Sequence, residues 1–244
     1  MKFLGSMKFL GPLILLVSLV MGCGTTKEEE ATQYTPSQYT FKETMVSPIA
    51  AGEKPPELIP GSKFTFKKTN IITDEFVTYN WTVKSKIIWL GKIPAYLIDI
   101  EQGYILWDTD LNFLASFGRN GQILQTCDPA IQVYNWPIKL NKSWNASYDL
   151  ADRTKNPSSI HKMSDPVRVI EQTSVKTPAG LWRVYVIERE TIGMVEKHYY
   201  APDIGMEAKM EIAMTLENQG GPGAFVVDLI GYDIPGVGSK GIKK

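Results

Sequence analysis

The side chains best suited to catalysis are few in this sequence, and their spacing matches no catalytic motif. Only two histidines occur, His161 and His198. A hydrolytic triad needs a nucleophile, a base and an orienting carboxylate in mutual contact, and no serine lies in a Gly-x-Ser-x-Gly turn. His161 falls in a predicted loop, and His198 falls in a predicted strand whose alternate residues face water. We therefore expect surface histidines, no catalytic residue and no enzymatic activity, with a hydrolase as the least favoured alternative.

One acidic run resembles a calcium loop but lacks two of its required positions. Asp108, Asp110 and Asn112 have the spacing that opens an EF-hand. The sixth position, which should be Gly, is Phe113, and the twelfth, which should be Glu, is Arg119. We predict a hairpin turn supported by Asp and Asn side chains. Because the histidines and cysteines also lack zinc-ligand spacing, we expect no metal and no cofactor.

The strongest motif surrounds Cys23, one of two cysteines. Lys2 and Lys8 precede an apolar run over residues 10–20, which is too short to span a bilayer and is typical of a secretory signal. The run ends in Val-Met-Gly before Cys23, which resembles the lipobox of bacterial lipoproteins. That resemblance implies acylation of Cys23, which then becomes the mature N-terminus. An ordinary signal peptide with an incidental cysteine is the alternative.

Lipidation of Cys23 would leave Cys127 without a disulfide partner, so we expect it to be a small buried hydrophobe. Acyl chains contribute about 0.8 kcal/mol per buried CH₂, and two or more hold a protein stably at a membrane. Gly24 follows the cysteine where an inner-membrane retention signal such as Asp would be expected. The predicted location is the cell envelope, lipid-anchored at the outer membrane and facing the periplasm.

Composition divides the chain into four segments. We predict a signal peptide over residues 1–22, a lipidated N-terminus and flexible tether over 23–55, a β domain over 56–235 and a disordered tail over 236–244. The 26 basic residues balance the 26 acidic ones, so no basic face for nucleic acid is indicated.

The dominant hydrophobic period in the β domain is two, as in Lys63-Phe64-Thr65-Phe66-Lys67. Long helical stripes are missing, so we predict an all-β fold of antiparallel meanders, with a long irregular loop over residues 149–166. A weak internal repeat relates residues 62–127 to 143–234. It suggests two related halves packed as a sandwich or bent into a half-barrel.

The second half of the chain carries a family resemblance. Its motifs are YNWP (134–137), LNKSW (140–144), TPAGLW (177–182) and YYAPDIGM (199–206). These are similar to the P-L-x-x-G-x-x-W, V-P-A-G-T-F and Y-W-Y-A-P-x-V-G motifs of a family of exported bacterial β proteins of unknown function. The resemblance covers residues 133–232 and departs from the family at Asn141 and Trp182, where Gly and Phe are usual. It implies fold and export, but no activity.

The remaining signal is the abundance of aromatic residues, six Trp and eleven Tyr. Core packing explains most of them, but some could line an apolar cleft between the halves. We take Trp107, Trp136 and Tyr199 as candidate ligand-binding residues. The favoured function is a non-enzymatic lipoprotein that binds or carries an apolar, envelope-derived ligand. The alternative is an accessory module that docks on another envelope protein through a sheet edge or an aromatic patch.

Overall fold

The computed structural model describes residues 54–154, 159–218 and 221–240. The predictions for the signal peptide, for Cys23 and for nearly all of the tether therefore lie outside the described residues. Within the described ranges, no helix has the length and apolarity needed to cross a membrane.

The described chain folds into a meander in which each strand pairs antiparallel with the next. The strands are β1 (Lys63–Asn70), β2 (Phe76–Trp89), β3 (Ile93–Ile100), β4 (Gly103–Asp108), β5 (Phe113–Gly118), β6 (Ile123–Ile131), β7 (Ser143–Asp152), β8 (Ser159–Thr177), β9 (Gly180–Thr191), β10 (Met194–Ala201), β11 (Met206–Met214), β12 (Gly223–Ile234) and β13 (Gly238–Lys240).

The sheet closes on itself because β1 also pairs with β12, in a register that runs from Lys63 opposite Asp233 to Asn70 opposite Phe225. The all-β antiparallel prediction is confirmed, but the halves form neither a sandwich nor a separate half-barrel. Strands β1–β6 and β7–β12, which fall in the two predicted halves, contribute six strands each to one closed barrel. Closure pairs β1 with β12, the two edges that an open sheet of these twelve strands would leave unpaired.

Strand alternation places the core inside the barrel. In β1, Phe64 and Phe66 are buried, while Lys63, the first residue of the strand, is exposed. Successive side chains of a strand point to opposite faces, so the period-two pattern identified the inward positions of β1 correctly.

Two segments differ from the sequence-based prediction. Residues 149–152 and 159–166 of the predicted long loop lie in strands instead, because β7 and β8 pair from Ser143 opposite Arg168 to Asp152 opposite Ser159. In the predicted disordered tail, Gly238–Lys240 form β13, which pairs with the end of β12. Both segments are rich in polar residues, and an antiparallel strand with one solvated face accommodates these as readily as a loop does.

One end of the barrel is covered by chain segments rather than open. Leu58, just before β1, is buried in the core, and Pro56 lies against Gly205. The connection between β6 and β7, residues 132–142, also packs here, and its Tyr134 backbone pairs with the buried Asn112 side chain. Tyr134 N donates to Asn112 Oδ1 at 2.9 Å, and Asn112 Nδ2 donates to Tyr134 O at 3.1 Å.

The turn between β4 and β5 is supported by a side chain, as predicted. Asp108 Oδ1 accepts hydrogen bonds from the backbone N–H groups of Asp110 and Asn112 at 2.9 and 2.8 Å. The Asp-x-Asp-x-Asn spacing therefore builds a hairpin turn.

Candidate functional site

The barrel interior contains a line of ionisable side chains on four consecutive strands, which we call the charged row. Its members are Asp165 on β8, Arg189 on β9, Glu196 and His198 on β10, and Glu207 on β11. Arg189 lies opposite Glu196 in the β9–β10 register, so both point to the same face. Each member is at most 3% exposed.

Arg189 is the centre of the first part of the charged row. Its Nε donates to Asp165 Oδ2 at 3.0 Å, and its Nη1 donates to Glu196 Oε2 at 3.0 Å. Tyr148 on β7 donates its hydroxyl to the same Asp165 oxygen at 2.8 Å and lies 3.2 Å from Arg189 Nη2. The guanidinium is thus held by two carboxylates and a phenol, as a buried cation requires.

His198 occupies the second part of the charged row, between two carboxylates. Its Nδ1 is 3.4 Å from Glu207 Oε1, and its Nε2 is 3.5 Å from Glu196 Oε2 without forming a hydrogen bond. Glu207 Oε1 also accepts a 2.5 Å hydrogen bond from the Tyr134 hydroxyl. The segment that covers the barrel end is therefore tied directly to the charged row.

The neighbours of these groups set their ionisation. Burial alone would lower the pKa of His198, but the carboxylates of Glu196 and Glu207 outweigh it and raise that pKa to about 9. Burial alone would raise the pKa of the Glu196 and Glu207 carboxyls. The charge of Arg189 beside Glu196 and that of His198 beside Glu207 outweigh burial, so both pKa values are lowered. The charged row consequently alternates in sign across the interior at neutral pH.

The prediction that both histidines lie on the surface is wrong for His198, which is 0% exposed. His161 is exposed, with Nε2 2.9 Å from Ser159 Oγ, but it lies on β8 and not in a loop. The face of β10 was predicted wrongly because its inward residues, Glu196 and His198, are polar. The two-residue spacing of Glu196, His198 and Tyr200 was the available signal, but it does not reveal whether these residues or those between them face inward.

A second group of polar atoms in the interior has no protein acceptor. Among the described residues, the hydrogen-bond donors Lys68 Nζ, Tyr79 Oη, Trp81 Nε1 and Trp107 Nε1 find no hydrogen-bond partner. Lys68 on β1 is 6% exposed, and its ammonium lies 4.0 Å from the centre of the Phe225 ring. Burial lowers the pKa of Lys68 to about 8.

A cavity of about 10 Å³ lies between these two interior groups. Trp107 lines it together with Tyr134, His198 and Glu207. A second cavity of about 10 Å³ lies near Phe225. Each has room for about one water molecule and none for an acyl chain. In the described part of the chain, no cluster of three or more His, Cys, Asp or Glu side chains is placed to hold a metal ion.

The three predicted ligand-binding residues are not brought together. Trp107 is buried inside the barrel, with its ring 5.3 Å from that of Trp81. Trp136 lies on the covered end, where its ring is 5.7 Å from Tyr200 and its Nε1 donates to Asp110 O. Tyr199 is on the face of β10 opposite to His198, beneath Lys209. Only Trp107 lines an interior cavity.

The outer surface of β2–β6 carries an apolar cluster, which we call the outer-wall patch. Ala95 and Leu97 alternate with the inward Tyr96 and Ile98, so they face outward. The patch consists of buried Ala95, Leu106, Leu114 and Ala115 surrounded by half-buried Ile87, Trp89, Ile93, Leu97, Phe117 and Ala130.

Two aromatic rings and a hairpin tip make the outer-wall patch prominent. The Trp89 and Phe117 rings are 5.5 Å apart in an edge-to-face arrangement. On either side of Trp89, at the β2–β3 turn, Ile88 is 60% and Leu90 is 69% exposed. The sequence analysis did not identify this patch, because Ala95, Tyr96, Leu97 and Ile98 are consecutive apolar residues that do not distinguish the two faces of β3.

The fold and these sites define a closed antiparallel barrel with a sealed, charged interior and an apolar outer patch. No protein family and no curated protein matches the chain.

Two solved structures are similar to it in fold. One is described as an exported protein with a YmcC-like fold from Bacteroides fragilis; it is 13% identical, covers 74% of this chain and 98% of its own, and has a TM-score of 0.41. The other is described as a lipoprotein from Parabacteroides distasonis; it is 11% identical, covers 79% of this chain and 100% of its own, and has a TM-score of 0.37. At such low sequence identities and TM-scores, the two similarities say nothing about the activity or the ligands of this chain.

Proposed function

We propose that this chain is a lipid-anchored protein of the bacterial envelope whose barrel docks, without enzymatic activity, on another envelope protein. The outer-wall patch carries the docking part of the proposal. Aromatic side chains within an apolar surface cluster, as Trp89 and Phe117 are here, are typical of protein interfaces, and contiguous apolar patches on a protein surface mark interaction sites. The lipid anchor and the outer-membrane location rest on the lipobox-like motif at Cys23 and on Gly24.

The interior supports this choice over the apolar-ligand carrier. A carrier needs a cavity that encloses most of its ligand, commonly about 300 Å³ or more. The interior cavity beside Trp107 and His198, at about 10 Å³, falls far short of that. Catalysis is disfavoured too, because His198 and its carboxylates are sealed from solvent.

Site-specific photocrosslinking in bacterial cells tests the docking proposal. A photoreactive amino acid replaces Leu90, which is 69% exposed and follows the patch residue Trp89, in the full, lipid-anchored chain. In a matched control it replaces Leu181, which is 73% exposed and lies on β9, away from the patch. We expect one discrete protein adduct from position 90 and none from position 181. The adduct should disappear when Trp89→Glu is added, with the circular dichroism spectrum of the barrel unchanged.

Identical adducts from both positions, or an adduct that survives Trp89→Glu, would reject the outer-wall patch as the docking surface. The carrier alternative has its own test, mass spectrometry of an organic extract of the purified chain. A stoichiometric apolar molecule in that extract would favour the carrier.

A further inference from the structure

The interior of β2 and β4 presents hydrogen-bond donors that the described protein atoms leave without acceptors. The rings of Tyr79, Trp81 and Trp107 follow one another, with centroids 6.3 Å and 5.3 Å apart. The hydroxyl of Tyr79 and both indole N–H groups are buried without a partner. A buried donor left unpaired loses its hydrogen bonds to water without replacement, and folded proteins rarely contain such a donor.

One of these donor residues, Trp107, shares a cavity with two members of the charged row. The cavity of about 10 Å³ separates Trp107 on β4 from His198 on β10 and Glu207 on β11. His198 Nε2, like Trp107 Nε1, has no hydrogen-bond partner among the described residues. Two residues that each have a ring nitrogen without a hydrogen bond, and one carboxylate residue, thus line the same small cavity.

The volume of the cavity decides which ligand fits. A space of about 10 Å³ corresponds to one water-sized sphere, and a water molecule needs two to four polar partners to be held. A carboxylate, a phosphate or any organic group needs several times that volume. The local charge also disfavours an anion, because Glu196 and Glu207 flank His198.

We infer that this cavity is a binding site for a single water molecule, which accepts a hydrogen bond from Trp107 Nε1 and bridges that indole to His198 and Glu207. The water connects the aromatic wall of β2–β4 to the charged row of β8–β11. Since Tyr134 donates to Glu207 Oε1, the same network extends to the segment that covers the barrel end. The site is independent of the outer-wall patch.

A crystal structure of the full chain, at a resolution that shows ordered solvent, tests this inference. We expect one density peak in the cavity, roughly 2.7 to 3.2 Å from Trp107 Nε1 and within hydrogen-bond distance of His198 or Glu207. In Trp107→Phe the peak should be lost or should move away from the ring. In the control Trp182→Phe, whose indole donates to Thr177 Oγ1, the peak should stay.

Three results would overturn the inference. They are a cavity without density in the unsubstituted protein, an anomalous peak there in crystals grown with bromide, and an unchanged peak in Trp107→Phe. If Trp107→Phe does not fold, the inference is tested on the unsubstituted protein in solution. Oxygen-17 relaxation dispersion counts its long-lived internal water molecules. A count of zero would reject the site.

Discussion

Arg189 and Glu196 lie opposite each other on β9 and β10, with Nη1 3.0 Å from Oε2 and both side chains 3% exposed. Removing one partner of such a buried pair leaves an uncompensated charge, which costs about 3 to 5 kcal/mol. We therefore expect Arg189→Met to lower the free energy of unfolding in urea by about that amount. The exposed pair of Lys86 and Glu57 is the control, and Glu57→Gln should cost less than about 1 kcal/mol. Equal losses in the two variants would contradict the role of burial.

The stability of the barrel should depend on pH through His198. Its pKa is raised from 6.5 to about 9 in the folded state. The protonated ring therefore contributes its full stabilisation below about pH 6.5, and this contribution is lost as the pH rises through about 9. We expect the stability difference between the unsubstituted protein and His198→Gln to shrink by a few kcal/mol, in order of magnitude, over that interval. A difference that stays constant from pH 6 to pH 10 would show that His198 is neutral throughout.

Lys68 should have the opposite effect. Burial lowers its pKa from 10.5 to about 8, so its charged form is a cost to the folded state at neutral pH. That cost is present below about pH 8 and fades as the pH rises towards 10.5, where the unfolded amine also loses its proton. We expect Lys68→Met to raise the free energy of unfolding at pH 7 by about 1 to 3 kcal/mol. The gain should be smaller at pH 10.5, and a loss of stability at pH 7 would mean that contact with the Phe225 ring outweighs desolvation.

Asn112 should be essential for the covered end of the barrel. Its side chain makes both hydrogen bonds with the Tyr134 backbone, so Asn112→Ala leaves a buried N–H and a buried C=O unpaired. We expect a loss of about 2 to 4 kcal/mol in urea unfolding. Asn80→Ala, which removes only an exposed hydrogen bond to Thr65, should change stability by about 0.5 kcal/mol or less. A similar effect at both sites would refute the structural role of Asn112.

The thiol of Cys127 should be unreactive while the protein is folded. It is 6% exposed, and burial raises its pKa to about 12, so little thiolate forms at neutral pH. In a Cys23→Ser chain, a disulfide reagent at pH 8 should label no thiol before unfolding and one thiol after unfolding in urea. Rapid labelling of the folded protein would show that the β6 region opens readily.

The fold class followed from the sequence because its evidence is local. The alternation of Phe64 and Phe66 with polar neighbours identifies a strand regardless of what surrounds it. Closure did not follow, since the pairing of Lys63 with Asp233 joins residues far apart in the chain. Their partnership depends on strand tilt and sheet curvature, which no short window of sequence reports.

The charged row was missed for a different reason. A two-residue hydrophobic period identifies a strand, but it does not show which face of the strand turns inward. That face is usually assigned by the rule that apolar residues face the core. On β10 this rule fails, because Glu196 and His198 point inward and Val195 points outward. The penalty for burying these charges is offset by Arg189 on β9 and Glu207 on β11, and only the assembled barrel brings those residues together.

The pairing of β1 with β12 also has a consequence for the order in which the protein folds. Every other strand of the barrel finds a partner in the hairpin next to it, and such neighbours meet quickly. The β1–β12 contact closes a loop of nearly the whole domain, at a higher entropic cost than any hairpin. Until that contact forms, β1 has one unpaired edge, and the barrel cannot close before β12, its last strand, is in place.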